Sequence, residues 1–332
     1  MTGATGGGRL AVAMCTYNGE RHVAEELDSF VQQTRLPDEL VVCDDRSTDG
    51  TVEIVEAFAE RAPFEVRLYV NDENLGYTKN LERAISLTTG DFVALADWDD
   101  VWMPQKVGRL VDAFTNSPTV GLVLSDAEIV TPDLQHVGSL WDTRGWARRD
   151  RFLAARGHTH RLLRKNFTAT YGTTMALRST LRDAVLPLPD RWVSTTGQSG
   201  PDAWIALIAA GLSDVAFIDE PLVKYRQHAT NMAGAGSTSL LTRLRSARAN
   251  TAETFTERAE RLRLGVERLT ALGARPGYVR HVRRAERHVR FRAAPPASYP
   301  ARLASSASEL ARLRYHRYSD GWRSLASDVL LR

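Results

Sequence analysis

From Leu10 onward, short apolar runs alternate with segments whose apolar positions recur at helical spacing. The pattern predicts strands at Leu10–Cys15, Glu39–Cys43, Val66–Val70 and Phe92–Ala96. Between them it predicts helices at Glu20–Gln33, Thr51–Arg61, Thr78–Leu87 and Gln105–Phe114, the last opened by Pro104. Strand and helix units in succession are the signature of a layered α/β domain, here a nucleotide-binding sheet flanked by helices. Residues 119–127 read as a fifth strand. Regularity then fails between Thr131 and Phe167, a stretch rich in Arg, His and Trp. It returns with a strand at Thr173–Leu177, a helix at Ala203–Ala210 and strands at Val215–Ile218 and Leu222–Tyr225.

Beyond Met232 the run Ala-Gly-Ala-Gly-Ser-Thr-Ser reads as a linker, after which Arg, Ala and Leu dominate at helical spacing. The expected organisation is therefore an α/β domain over residues 1–232 and an α-helical, Arg-rich C-terminal appendage over 233–332. Leu240, Leu244 and Ala247, then Leu262, Val266 and Leu269, mark an apolar stripe with Arg between its members. Such helices can pack on the preceding domain, pair in a homodimer, or lie on an anionic membrane.

Charge sharpens this division. Residues 233–332 hold 20 Arg, no Lys and 8 acidic residues, a balance of +12, so the first 232 carry −9 of the chain's +3. A cationic tail suits anionic lipid or the acidic body itself; no nucleic-acid partner is expected. The whole chain, 332 residues and 43% hydrophobic, is long enough to bury a full core. Its two cysteines, Cys15 and Cys43, lie in strand-like apolar runs, which argues against a disulfide framework or a structural zinc site. No stretch reaches the roughly 18 to 20 apolar residues of a membrane span, and the first residues lack the apolar core of a signal peptide. The expected location is cytoplasmic, with peripheral contact at the inner face of the membrane as an added possibility.

The chemistry concentrates where strands end. Ala96-Asp97-Trp98-Asp99-Asp100 follows the apolar run Phe92–Ala96. Strand side chains repeat every second residue, so Asp97 and Asp99 point the same way and can grip one hard divalent ion, Mg²⁺ or Mn²⁺. Asp100 can instead cap the following helix. Asp44-Asp45 ends an earlier strand, and ligands of open α/β sheets bind outside the carboxyl ends of strands, so Asp44 and Asp97 are expected to share one crevice. Asp44 can accept a hydrogen bond from a base or ribose, while Ser47-Thr48-Asp49-Gly50-Thr51 reads as a turn and helix cap.

Cys15-Thr16-Tyr17-Asn18-Gly19, the run Asp44 to Thr51, Asn74-Leu75-Gly76 with Asn80, and Asp97-Trp98-Asp99-Asp100 occur in an order and spacing that resemble the family 2 inverting glycosyltransferases. The resemblance covers about residues 9–232 and implies a GT-A fold and a UDP- or dTDP-linked sugar donor. It implies that Thr16, Tyr17, Asn18, Glu20, Asp44, Asp45, Asn74, Lys79, Asp97 and Trp98 line the nucleotide-sugar pocket, and that Asp99, with Asp97, holds the metal. Glu20 and Lys79 can equally be solvated helix positions, and Tyr17 and Asn18 can simply shape the loop.

Pro201-Asp202-Ala203-Trp204 resembles the short acidic motif that supplies the family's catalytic base, here Asp202, although Pro201 stands where many relatives carry an acid or histidine. Taken alone, Asp202 also suits a helix N-cap. Tyr225-Arg226-Gln227-His228 resembles the ending of a rhamnosyltransferase-like branch, which makes His228 a candidate third metal ligand or diphosphate contact and Arg226 a candidate diphosphate contact, although a lone His is more often a structural donor. Trp141, Trp146, Trp204 and His158 are candidates for the acceptor side, where a glycan, glycolipid or small molecule would rest, or ordinary core side chains. Two other readings compete. A nucleotidyltransferase shares a sheet and acidic ligands but usually opens with a glycine-rich basic loop, which this chain lacks. A noncatalytic glycan-binding descendant has no need to keep Asp97, Asp99, Asp202 and His228 together. A Rossmann dehydrogenase fails for want of glycine-rich spacing after the first strand.

Overall fold

The computed structural model describes residues 7–156, 170–190, 200–228 and 251–330. The stretch expected to be a linker after Met232, the positions Leu240, Leu244 and Ala247, and His158 lie outside the described residues. In chain order the elements are β1 Leu10–Thr16, α1 Val23–Val31, β2 Glu39–Asp44, α2 Thr51–Ala59, β3 Glu65–Val70, α3 Tyr77–Leu87, β4 Phe92–Asp97 and β5 Val101–Trp102. There follow α4 Lys106–Thr115, β6 Val120–Val130, β7 His136–Ser139, α5 Leu140–Thr143, α6 Arg148–Ala155, a 3₁₀ turn at Gly172–Thr174, β8 Met175–Arg178, α7 Arg182–Val185, α8 Pro201–Leu212 and β9 Asp214–Arg226. Five helices follow among the described residues: α9 Ala252–Ala271, α10 Pro276–Ala293, α11 Tyr299–Ala311, α12 Arg314–Tyr318 and α13 Trp322–Leu330.

The strands form one nine-stranded mixed sheet in the order β3-β2-β1-β4-β8-β6-β9-β5, with β7 paired to β6. Its left half is parallel: β1 lies between β2 and β4, and the register sets Thr16 opposite Asp44 and Cys15 opposite Asp97. Chain order reverses about β1, so the loops leaving its neighbours diverge and open a crevice at the carboxyl ends. Beyond β4 the antiparallel β8 breaks the parallel run.

Alternation along the strands divides the core into two layers. Leu10, Val12 and Met14 of β1 face Leu27 and Phe30 of α1, Val55 and Phe58 of α2, and Leu110 of α4. Ala13 and Cys15 face the opposite layer, where Leu81 and Ile85 of α3, all of α8 from Ala203 to Ala210, and Phe255, Leu262, Leu269, Tyr278 and Val282 of α9 and α10 form one cluster. The C-terminal helices thus share the core of the sheet. Contact between α8 and α9 is close because glycines allow it. A methyl group at Gly265 would meet Leu207 Cδ2 at 2.3 Å, and one at Gly211 would meet Leu269 Cδ2 at 2.4 Å. Arg268 donates to the carbonyls of Asp183, Ala184 and Leu186, and Arg275 pairs with Asp214 at 2.8 Å, so basic side chains of the tail meet the acidic body.

Two differences from the sequence pattern have physical causes. Val215–Ile218 and Leu222–Tyr225 belong to one strand, β9, in which Pro221 falls beside a register irregularity at Asp126 of β6; there a missing N–H costs no regular ladder bond. The stretch expected to be irregular holds β7, α5 and α6, each too short to leave a periodic signal.

Candidate active site

The crevice is walled by loops that brace one another. Asp44, fully buried, accepts from Thr16 Oγ1 at 2.7 Å, Ser47 N at 2.7 Å and Ser47 Oγ at 2.6 Å. Asn18, at φ +49°, accepts from Thr48 N at 2.8 Å, while Glu20 accepts from Gly50 N at 3.1 Å. These contacts tie the β1–α1 loop to the β2–α2 loop and leave Tyr17 half exposed at the mouth. Asp45 turns the other way and holds the loop before α3, accepting from Leu75 N, Gly76 N and Asn71 Nδ2 at 2.7–2.8 Å. Asn74 bonds the Asp45 carbonyl at 3.1 Å. Trp98 covers the first loop so tightly that a methyl at Gly19 would sit 2.8 Å from its ring.

Beneath this mouth lies a dense acidic cluster. Asp97 accepts from Tyr77 Oη at 3.2 Å, and burial, reinforced by the charges of Asp99 and Asp202, pushes its carboxyl up to about 7. Asp99 meets His228 Nε2 at 2.7 Å. The His228 ring is 5.6 Å from that of His22 and 5.9 Å from that of Trp98. Arg226 is buried beside them, its Nε donating to the Asp99 carbonyl at 2.8 Å and its guanidinium reaching Glu25 at 2.5 Å and the Pro132 carbonyl. Asp100 accepts from Arg226 N at 3.0 Å, but its second oxygen has no partner among the described residues. Among those residues both oxygens of the fully buried Glu26 are likewise unpartnered. Burial, and for Asp100 the charge of Asp99, pushes both carboxyls up. Lys106, also fully buried, lies 3.4 Å from the Trp102 ring centroid and donates to the Thr173 carbonyl at 2.6 Å. Burial lowers its ammonium to about 7 against the opposing fields of Glu26, Asp100 and Asp97.

Among the described residues no three His, Cys, Asp or Glu side chains converge as a ready-made metal cage. The donor set nevertheless suits a hard cation: Asp99 and His228 offer two adjacent ligands, and the orphaned Asp100 oxygen and raised Asp97 mark an excess of buried negative charge. An ion bound so sparsely by protein keeps positions for water and phosphate oxygens.

Asp202 is the second residue of α8 and belongs to the same electrostatic cluster. Burial pushes its carboxyl up to about 7, opposed by backbone donors that include Gly172. Lys79 is paired with Asp190 at 3.1 Å and Glu82 at 3.2 Å. Trp141 and Trp146 are 0% and 1% exposed and pack against Phe217, so they offer no face to an acceptor. Trp204 is 4% exposed and donates to the Val185 carbonyl at 2.8 Å. Tyr77, Glu26, Lys106 and His22 went unnoticed in the sequence. For Glu26 and Lys106 the signal was present as charges on the apolar stripes of Val23, Leu27 and Phe30 and of Val107, Leu110 and Val111.

Residues 11–181 match the family model described as Glycosyl transferase family 2. An uncharacterized glycosyltransferase of Nostoc sp. is 27% identical over 234 residues, 70% of this chain and 69% of its own length. Among solved structures, Staphylococcus aureus TarS 1–349 in complex with UDP-GlcNAc matches with a TM-score of 0.57 at 20% identity, covering 85% of this chain and 72% of that one. The mannosyltransferase PcManGT of Pyrobaculum calidifontis, in complex with GDP-Man and Mn²⁺, matches with a TM-score of 0.51 at 19% identity, covering 98% and 86%.

Proposed function

Because the chain belongs to glycosyl transferase family 2, we propose that it moves a sugar from a UDP- or dTDP-linked donor to a hydroxyl of a glycan, glycolipid or small molecule with inversion. The observation that carries this reading is the meeting of Asp97, Asp99 and Asp202 at the carboxyl edge of the parallel strands, below loops braced by Asp44. The donor's nucleoside would lie along Thr16, Tyr17, Asp44 and Trp98. Its diphosphate would face Asp99 and His228; Arg226, expected from the sequence to contact it directly, is buried behind them with its guanidinium on the Asp99 carbonyl, Glu25 and the Pro132 carbonyl. A divalent ion bound there would supply Lewis-acid neutralisation of the departing diphosphate. Asp202 takes the acceptor proton as the acceptor oxygen bonds to the anomeric carbon and the bond from that carbon to the diphosphate breaks. A carboxyl drawn up to about 7 is matched to proton transfer near neutral pH. The UDP-GlcNAc and the GDP-Man with Mn²⁺ in the two structural neighbours support both donor class and metal. The Tyr225–His228 ending favours a rhamnosyltransferase-like specificity.

The test is calorimetric titration with nucleoside diphosphates and UDP- and dTDP-sugars, with Mn²⁺, Mg²⁺ or chelator. Metal-dependent binding that Asp99→Ala abolishes supports the donor site and names the base; no binding of any nucleotide under any condition overturns it. No helix among the described residues is long and apolar enough to cross a membrane. Contact of the basic C-terminal region with anionic lipid is part of the same proposal, and failure to sediment with anionic liposomes at low salt removes it.

A further inference from the structure

Lys106 is not among the residues proposed to touch the donor, yet it borders the acidic cluster and is tethered to the element that joins the two halves of the chemistry. Its ammonium reaches the Thr173 carbonyl at 2.6 Å. Thr173 belongs to the 3₁₀ turn Gly172–Thr174, closed by Thr174 N and Oγ1 on the Tyr171 carbonyl at 3.0 and 2.9 Å. Gly172, one residue away, presents its backbone N–H to the Asp202 carboxylate. A methyl placed on Gly172 would stand 3.3 Å from Tyr77 Oη, the hydroxyl that donates to Asp97, and 3.9 Å from Asp97 Oδ2. One short turn therefore donates to Asp202 and lies beside the Tyr77 hydroxyl that holds Asp97, and Lys106 pins its far side.

The placement of that lysine is costly in itself. An ammonium with no exposed surface needs compensation, and here it has the Trp102 ring, one carbonyl, and the neighbouring carboxylates of Glu26 and Asp100. Among the described residues, Glu26 and Asp100 in turn leave three oxygens without hydrogen bonds. A buried polar group on an apolar stripe, kept with incomplete satisfaction, points to a task beyond packing.

The geometry points to Lys106 as a positioning residue: through the Thr173 carbonyl it fixes the Gly172–Thr174 turn, and so sets the separation of Asp97 from Asp202. This rests on the proposed donor site and adds a distinct element to it. Reaction rates are sensitive to such spacing, because a displacement of about 1 Å of a reacting group can cost on the order of 100-fold.

The experiment separates tether from charge with three variants of the full chain: Lys106→Met, Glu26→Gln, and the two combined. Lys106→Met removes both tether and cation and can lose stability through uncompensated acids. The double variant rebalances the charge while the tether stays absent, and Glu26→Gln keeps the tether. Thermal melting establishes folding, calorimetry measures UDP binding with Mn²⁺, and hydrogen exchange reads the amides of residues 171–174. Turnover is read as release of UDP or dTDP and free sugar from UDP- and dTDP-sugars, with water as acceptor. The expected result is turnover about 10- to 100-fold below wild type in the double variant, with UDP–Mn²⁺ affinity within about threefold and exchange at residues 171–174 accelerated. Glu26→Gln removes a carboxylate beside Lys106 but keeps the bond to Thr173; it is expected to leave those amides protected and to lose clearly less turnover than the double variant. Wild-type turnover in the double variant overturns the inference, as does an equal loss in Glu26→Gln, which would assign the effect to charge. A wild-type protein that binds no nucleotide and releases no UDP or dTDP overturns the donor-site reading itself, and the inference with it.

Discussion

At the scale of single residues, Asp202 carries the sharpest expectation. It sits in the first turn of α8, with Ala203 N at 2.8 Å and Gly172 N also on its carboxylate, yet burial keeps its carboxyl at about 7. Asp202→Asn preserves shape and removes the basic oxygen. Turnover should fall by roughly 10² to 10⁴ while nucleotide binding persists, a pattern read from kcat against the calorimetric affinity. Wild-type turnover should rise as pH climbs through about 7, as the carboxyl becomes the base. Stability runs the other way. A carboxyl whose folded pKa lies above its unfolded value stabilises the fold fully only below the unfolded range, and that contribution is lost as pH rises through about 7. The asparagine variant should therefore gain thermal stability over wild type at pH 8 and show a smaller gain at pH 5. An equal difference in Tm at both pH values would refute the burial of this carboxyl.

At the scale of elements, the junction of α8 and α9 makes a different expectation. Gly211 and Gly265 let two helices approach until leucines from each fill the other's gaps, Leu269 over Gly211 and Leu207 over Gly265. Gly265→Leu forces an overpacked contact and should cost about 1–3 kcal/mol, measured as a lower urea midpoint with unchanged slope. Helices of this kind were legible because their apolar spacing is set by packing: Thr78–Leu87 became Tyr77–Leu87, and Thr51–Arg61 became Thr51–Ala59. The predicted helix Glu20–Gln33 begins only at Val23, because His22 N and Val23 N both turn back to the Gly19 carbonyl and leave the preceding residues as a crevice wall. Sequence periodicity has no term for that. The carboxylate pairs at strand ends were legible because strand position decides where they point. Their division of labour was not: only the register and the loops show Asp44 turned to the β1 loop and Asp45 to the loop before α3. Trp141 and Trp146 read from the sequence either as acceptor-side surfaces or as core aromatics, and their burial against Phe217 of β9 fits the second reading.

At the scale of the whole molecule, the change of composition at Met232 does not coincide with an edge of the core. Phe255, Leu262, Leu269, Tyr278 and Val282 pack in the same cluster as Val93 and Leu95 of the central strand β4, with α8 between them. Helix α8 is buried from Ala203 to Gly211, a condition met only when α9 and α10 cover the side turned away from the sheet. Farther out, the tail adds its own polar lock, in which His288 joins Glu309 at 2.8 Å and Ser319 at 3.0 Å, and Arg292 joins Asp328 at 2.7 and 3.0 Å. Removing residues 233–332 would strip this cover and expose an apolar helix one residue from the candidate base, since Asp202 and the buried stretch share α8. The fragment 1–232 is therefore expected to aggregate or bind hydrophobic dye and to show no cooperative melt, whereas the full chain is expected to melt in one transition. A soluble fragment with a sharp melt and intact UDP binding would show instead that α8 holds its position against the sheet alone, and that the tail serves the acceptor or the membrane without supporting the site.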